Sequence, residues 1–271
     1  EVGDRMRKHN ILSKIFVLLV LLYLYVPIIV LMVLSLNESR YNSLPFEFTT
    51  KWYEDMISNE SLLLAAKNSL LLALITGIIC TVLATLFTLG QRYLSKKVSG
   101  TFHSIVMMPM SIPWLIMGLS LLLMIRSLGF TKNMAFVLAG HVIISLPYAL
   151  LVLRARMSSL DKSLEEMSAS LGAGPMTTFR RVTLPAIAPA MVAGGFLAFM
   201  ISFDNFAISY FLMPSGVTTL PIEIQTSIKF GFTPEINAIS TVIIGFSLII
   251  LLIVGIIMRS NLKDMLGGAK K

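Results

Sequence analysis

Acidic residues, cysteines and nucleotide-cradling motifs are scarce or missing in this sequence of 271 residues. Asp and Glu number 14 against 22 Lys and Arg, charged residues make up 13%, and the one cysteine, Cys80, lies inside an apolar run. A single cysteine cannot close an internal disulfide, and redox chemistry is not expected. There is no Gly-x-x-x-x-Gly-Lys-[Ser/Thr] loop and no Gly-Lys pair at all, so the chain lacks the backbone cradle that holds a nucleotide's phosphates. Neither the zinc-protease His-Glu-x-x-His nor the Gly-x-Ser-x-Gly of lipases is present. No catalytic residue and no metal site is therefore expected. His103 and His141 stand alone in apolar runs, where interhelical hydrogen bonding is the expectation and a proton relay the remote alternative. Met107, Met108 and Met110 are expected to fill packing gaps, because soft-metal sites need sulfurs aimed at one point. No low-complexity tract and no internal repeat is visible.

What remains is apolar. Hydrophobic residues make up 56% of the chain and mean hydropathy is +0.83, values of an integral membrane protein. Stretches without Asp, Glu, Lys or Arg cover 15–36, 68–91, 98–125, 133–153, 182–203 and 236–258. Each reaches the ~20 residues a helix needs to cross ~30 Å of hydrocarbon. The expected fold is all-α: one domain over 1–271 with six transmembrane helices, about 12–36, 66–91, 100–125, 133–153, 186–212 and 236–258. The sequence begins at Glu1 rather than Met. No cleavable signal peptide is expected, because the first apolar run is long enough to remain as a span. With both termini cytoplasmic, only Arg40, Lys51, Lys67, Arg126, Lys132 and Lys229 of the 22 basic residues fall outside, a bias strong enough to set orientation. The net charge of +8 is then topological and implies no nucleic acid. Outer loops fall at 37–65 and 213–235. The first holds Tyr41, Phe46, Phe48, Trp52 and Tyr53, expected at the membrane–water interface, with direct partner contact as the alternative. The second, rich in Pro and Gly (Pro214, Gly216, Pro221, Gly231 and Pro234), is expected to hold a short interfacial helix. Gly77, Ala84, Gly118, Ala193, Gly194, Gly195 and Ala198 should let helices approach closely, and Pro27, Pro109, Pro113, Pro147 and Pro189 should bend them.

The longest polar stretch on the cytoplasmic side, within 154–185, runs from Asp161 to Pro185. Leu160, Leu164, Met167 and Leu171 form one apolar stripe on a short helix whose other faces carry Lys162, Glu165 and Ser170. That stripe needs something to lie against. Gly172 and Gly174 can take the left-handed backbone that stops a helix, and Pro175 suits the first turn of the next. Helix, bend, helix is the expectation, with Leu184-Pro185 handing over to the fifth span. Ser163 to Glu166 also reads as a capping box, in which Glu166 would bond backbone at the helix start.

Glu166, Gly172 six residues on, and Val182-Thr183-Leu184-Pro185 after nine more resemble the EAA loop of ABC-importer permeases, with Met167 and Ser168 where that signature has alanines. The resemblance covers nearly the whole chain. Lys51-Trp52-Tyr53 and Ser202-Phe203-Asp204 look like the PotC-like permeases of spermidine/putrescine importers, which usually carry a second acid where Asn205 stands. The resemblance implies a type I importer permease of the bacterial inner membrane, multi-pass and not itself an enzyme. It implies a coupling helix that docks on an ATPase subunit through Glu166, Ser168, Leu171, Gly172, Ala173 and Pro175. The implied partners are a second permease in a heterodimer, two ABC ATPases that hold the ATP and Mg, and an external binding protein that the outer loops receive. No cofactor is expected on this chain.

Inside the spans an ionisable residue costs about 2.5–3.5 kcal/mol at the centre and is a functional candidate by default. Asp204 stands out, within Ser202-Phe203-Asp204-Asn205-Phe206 and near the outer third of the fifth span. With Phe203, Phe206 and Tyr210 it makes surroundings that favour amines by ion pairing and cation–π contact. An interhelical bond to a serine, an asparagine or Lys229 is the structural alternative. Polyamine import is the expected function. The alternatives are an importer of another substrate (an iron complex, phosphonate, opine or amino-acid-like amine) and an ion-coupled secondary carrier, for which midplane coupling sites and repeats are wanting.

Overall fold

The computed structural model describes residues 2–39, 44–161, 163–230, 234–249 and 252, without the side chains of 2–12 and 230. Among these residues every regular element is helical, apart from one isolated antiparallel bridge, Asn37 to Phe48. Four continuous helices are long and apolar enough to cross a membrane. They contain α1 (Val2–Leu34), α3 (Glu60–Gly90, with a 3₁₀ turn to Tyr93), α6 (Met134–Ser158), and a 29-residue helix from Pro175 to Phe203. The last joins α8 (Pro175–Thr178), a π-helical turn (Phe179–Thr183) and α9 (Leu184–Phe203). α2 (Lys51–Ser58) and α7 (Ser163–Ser170) are short connectors.

The expected third span is not one straight helix. α4 (Lys96–Met107) runs into a 3₁₀ turn at Met108–Ser111, and α5 (Trp114–Ser127) leaves at 106° to it. Pro109 and Pro113 bracket the corner, where each ring removes a donor and blocks helical continuation. The expected fifth span, 186–212, is also divided: α9 stops at Phe203 and α10 (Phe206–Leu212) starts beyond Asp204 and Asn205. The sixth is represented by α12 (Glu235–Ile249). Residues 250, 251 and 253–258 of that span lie outside the described residues, as do Lys162, Tyr41 and Gly231.

The described residues fall into two compact units, one within 1–60 and 226–256, the other within 61–225. In the first, α1 presents apolar side chains all round, Phe16 being 67% exposed, as suits a helix solvated by lipid. Trp52 is the anchor of the 37–60 segment. It is buried and donates from Nε1 to the Asn37 carbonyl at 2.7 Å, while Tyr53 OH lies 2.7 Å from Ser35 Oγ. Trp52 is therefore packed inside the segment rather than left exposed. Phe46 and Phe48 do remain exposed. The expected outer helix is α11 (Leu220–Phe230), whose first N–H, in the second unit, donates to Ser69 Oγ at 2.8 Å.

In the second unit small residues set the helix contacts. A Cβ on Gly194 would lie 3.0 Å from the Ala149 carbonyl and 2.9 Å from Leu153 Cδ1, so α9 presses on α6. Gly77 meets the Gly195 carbonyl in the same way, joining α3 to α9, and Gly118 meets Ala207 and Phe211, joining α5 to α10. Where lipid removes the hydrophobic drive between helices, such close approach supplies the van der Waals contact that holds them. Ala84, Ala149, Leu150, Leu153 and Ala198 form one buried cluster, and Ile144, Ile208 and Leu212 belong to another.

Candidate functional site

The polar loop is shorter than expected. α6 continues to Ser158 and the next spanning helix already begins at Pro175, leaving 159–174 between them. Asp161 starts α7: its Oδ1 accepts the Ser163 N–H at 2.9 Å. That bond, aided by the Ser163 hydroxyl, holds the exposed Asp161 carboxyl below the usual carboxylate range. The capping box is not formed. Glu166 is exposed and its carboxylate makes no hydrogen bond or ion pair among the described residues.

α7 ends in a Schellman motif. Gly172 has φ +82°, its N–H donates to the Ala169 carbonyl at 2.9 Å, and the Ala173 N–H donates to the Ser168 carbonyl at 3.1 Å. Gly174 does not share the left-handed backbone: it caps α8 at φ −71°, ψ 163°, with Pro175 in the first turn. Ser168 Oγ and Thr178 Oγ1 meet at 2.9 Å across the bend. The stripe on α7 has no cover: Leu164 is 45% exposed, Met167 55% and Leu171 89%, with Met176 at 62% beside the turn.

Glu165, expected on an open face, is the residue that fixes the loop. Its Oε1 accepts from Arg92 Nη1 at 2.8 Å and from Thr183 Oγ1 at 2.6 Å, tying α7 to the end of α3 and to the π-helical turn. Arg156 Nε adds a bond to the Ala186 carbonyl at 2.9 Å. The neighbouring carboxylate, Glu166, and the apolar stripe stay exposed among the described residues.

The second candidate region is the break between α9 and α10. Asn205 caps α10, its Oδ1 accepting the Ile208 N–H at 2.8 Å, and its buried Nδ2 has no partner. Ser202 is buried and bonded to His141. Asp204 is exposed, and its carboxylate makes no hydrogen bond or ion pair to a described residue of its own unit, so no bond to a serine or asparagine is formed there. It stands at the C-terminal end of α9, where the helix dipole adds negative potential to the carboxylate. Phe203 stacks on Phe199 (centroids 5.8 Å apart) and Phe199 on Phe196 (6.1 Å), while Phe206 stacks on Tyr210 (5.0 Å) beyond the break. Sequence reasoning found Phe203, Phe206 and Tyr210 but passed over Phe196 and Phe199. Their i, i+3, i+7 spacing with Phe203 was the available signal. An unpaired carboxylate among stacked rings is suited to an alkylammonium group.

Of His103 and His141, His141 bonds between helices, whereas His103 Nδ1 is buried without a partner among the described residues. His103 lines an open cavity of about 400 Å³ with Leu151, Arg154, Ala155 and Ser158.

Comparison with known proteins bears on the family and the fold. Residues 73–266 match the family described as binding-protein-dependent transport system inner membrane component. The spermidine/putrescine transport system permease protein PotC of Escherichia coli (strain K12) is 33% identical over 251 residues, 92% of this chain and 94% of PotC. The putrescine transport system permease protein PotI of the same strain is 32% identical over 238 residues, 85% of each chain. A solved structure of a bacterial ABC transporter involved in the import of the acidic polysaccharide alginate has a chain that matches with TM-score 0.65 at 16% identity, over 94% of this chain and 96% of that one. At that identity the likeness bears on the fold alone.

Proposed function

The chain belongs to the binding-protein-dependent transport system inner membrane component family, and on that premise we propose that it forms one membrane-spanning half of an ATP-driven polyamine importer of the bacterial cytoplasmic membrane. An external binding protein delivers spermidine or putrescine to the outer loops. A second, homologous permease completes the path as a heterodimer, and two ATPase subunits hold the ATP and Mg. Six spans with both termini inside put 159–174 on the ATPase side. Glu166 and the stripe Leu164, Met167 and Leu171 dock there, with Ser168, Gly172, Ala173 and Pro175 shaping the bend. When the ATPases close on ATP, the two coupling loops move together and the path switches from inward- to outward-open.

The observation that carries the substrate reading is the unpaired Asp204 carboxylate at the end of α9 beside stacked aromatic rings. The names of the two relatives, both polyamine permeases, support it. An ammonium group passing the break exchanges water for Asp204 and ring faces, an interaction worth about 0.5–2 kcal/mol for the rings alone. The test is spermidine uptake and spermidine-stimulated ATP hydrolysis by the assembled complex in liposomes. Asp204→Asn, nearly isosteric, should lower both while the complex remains assembled. Unchanged uptake and stimulation would remove Asp204 from the path. Uptake driven by a proton gradient without ATP would replace the importer reading with a secondary carrier.

A further inference from the structure

The break in the fifth span is held by a residue of another helix. His141 on α6 is 1% exposed and uses both ring nitrogens: Nδ1 lies 2.8 Å from Ser202 Oγ, in the last turn of α9, and Nε2 lies 3.0 Å from Ser209 Oγ, in the first turn of α10. The two serines stand on opposite sides of Asp204 and Asn205. A neutral imidazole donates from one nitrogen and accepts at the other, and a serine hydroxyl can do either, so both bonds are satisfied in either tautomer. The residue before it makes room for this contact. A Cβ on Gly140 would lie 2.7 Å from Ile208 Cγ2 and 3.0 Å from Leu212 Cδ1, so α10 sits directly against the backbone of α6. The Asp204 carboxylate makes no hydrogen bond or ion pair to a described residue of its own unit, so the backbone on either side of it bears on its direction.

We propose that His141 is a positioning residue for transport: by clipping α9 and α10 together across the break it holds the Asp204 carboxylate in one orientation toward the path. The inference rests on the reading of Asp204 as the ammonium-binding group. A continuous apolar helix would leave no backbone group to satisfy, whereas this arrangement buries three polar side chains and an unpartnered Asn205 amide. Such a network specifies geometry at the expense of stability. It is the kind of support a binding group needs when small misplacements cost large factors in rate.

The experiment uses the complete importer in liposomes, with His141→Ala, Ser209→Ala and the double variant. His141→Ala should raise the KM for spermidine about tenfold and change the maximal rate much less. Ser209→Ala should do the same to a smaller degree, and the double variant should be no worse than His141→Ala alone, since both remove one clip. His141→Asn, which can still reach one serine, should recover part of the loss. An unchanged KM together with a lowered Tm or yield would overturn the proposal and leave His141 as helix glue. If His141→Ala fails to assemble, the milder Ser209→Ala decides by the same KM criterion. A second readout does not depend on the substrate. Spin labels at Val192→Cys and Ser215→Cys, both exposed and on opposite sides of the break, are placed in a Cys80→Ser background. They should give one narrow distance distribution that broadens in His141→Ala. Broadening in a complex that ignores spermidine would reject the polyamine reading and keep the clip; an unchanged distribution would reject the clip whatever the substrate.

Discussion

Alanine at position 172 perturbs the coupling loop through its backbone alone. Gly172 sits at φ +82° and an added Cβ would meet nothing within 4 Å, so the substitution introduces no clash. It does introduce left-handed strain, about 1–2 kcal/mol for an L-residue. The bend is closed by two hydrogen bonds, Gly172 to Ala169 and Ala173 to Ser168. Strain of that size shifts the loop away from its docking shape by about 5–30-fold. Gly174 is the matched control: it lies on the same loop, also has open space around it, and has an ordinary φ of −71°. Asparagine, which tolerates the left-handed region better than alanine, should fall between. The assay is titration of the purified ATPase subunits onto the permease pair in nanodiscs. Gly172→Ala should weaken the Kd about 5–30-fold, Gly172→Asn less, and Gly174→Ala by no more than about twofold. Equal Kd values for all three, or a greater loss at 174 than at 172, would refute the link between the bend and docking.

Removing the Glu165 ties should loosen the loop without abolishing it. Both partners of the Arg92 pair are about a third exposed (30% and 29%), so Glu165→Gln should cost no more than about 1 kcal/mol. Glu165→Leu, which also loses the Thr183 bond, should speed amide hydrogen exchange across 163–183. Gly194→Val drives a side chain toward the Ala149 carbonyl and Leu153 and should cost about 1–3 kcal/mol, read as a fall in Tm. Gly90→Ala, with nothing within 4 Å, should leave Tm level or raise it. Trp52→Phe removes the indole bond to the Asn37 carbonyl at 2.7 Å. The loss of that one bond, about 0.5–1.5 kcal/mol, should appear as faster proteolysis within 37–60.

The features legible in the sequence were those set by local chemistry. Apolar run length gave the helices, because in lipid a chain has few other ways to satisfy its backbone. The spacing Gly172, Gly174, Pro175 gave the bend, though only Gly172 takes the positive φ; the choice between two neighbouring glycines depends on which carbonyls are within reach. The small residues of the fifth span pointed to its close contacts. The missed features join residues far apart in the chain. Nothing in positions 92, 165 and 183 announces that one carboxylate will serve an arginine and a threonine, and i, i+4 periodicity placed Glu165 on an open face. The break at 204–205 was missed for a related reason: Ser202-Phe203-Asp204-Asn205-Phe206 is as compatible with a helix as with a break. What favours the break is Asn205 as a cap and His141, some sixty residues earlier, as the clip.

The two candidate regions stand at opposite ends of one helix. Pro175 follows the Gly172 bend, Phe203 precedes Asp204, and the 29 residues between them run without interruption, ~43 Å at ~1.5 Å per residue. A rod of that length turns small rotations into large displacements: pivoted at its coupling end, a tilt of ~10° moves the far end by ~7 Å. Transmission requires stiffness where the helix is weakest, at the π-helical turn Phe179–Thr183, because a widened turn has looser backbone bonding. The cross-links found there are the ones stiffness demands. Thr183 is bonded to Glu165, Glu165 to Arg92, and Arg156 to the Ala186 carbonyl just beyond the turn. At the other end the His141 bonds join α9 to α10 across the break, with Asp204 between them. On the proposed function, a docking event that moved 159–174 would reach the carboxylate at the break through this single braced element.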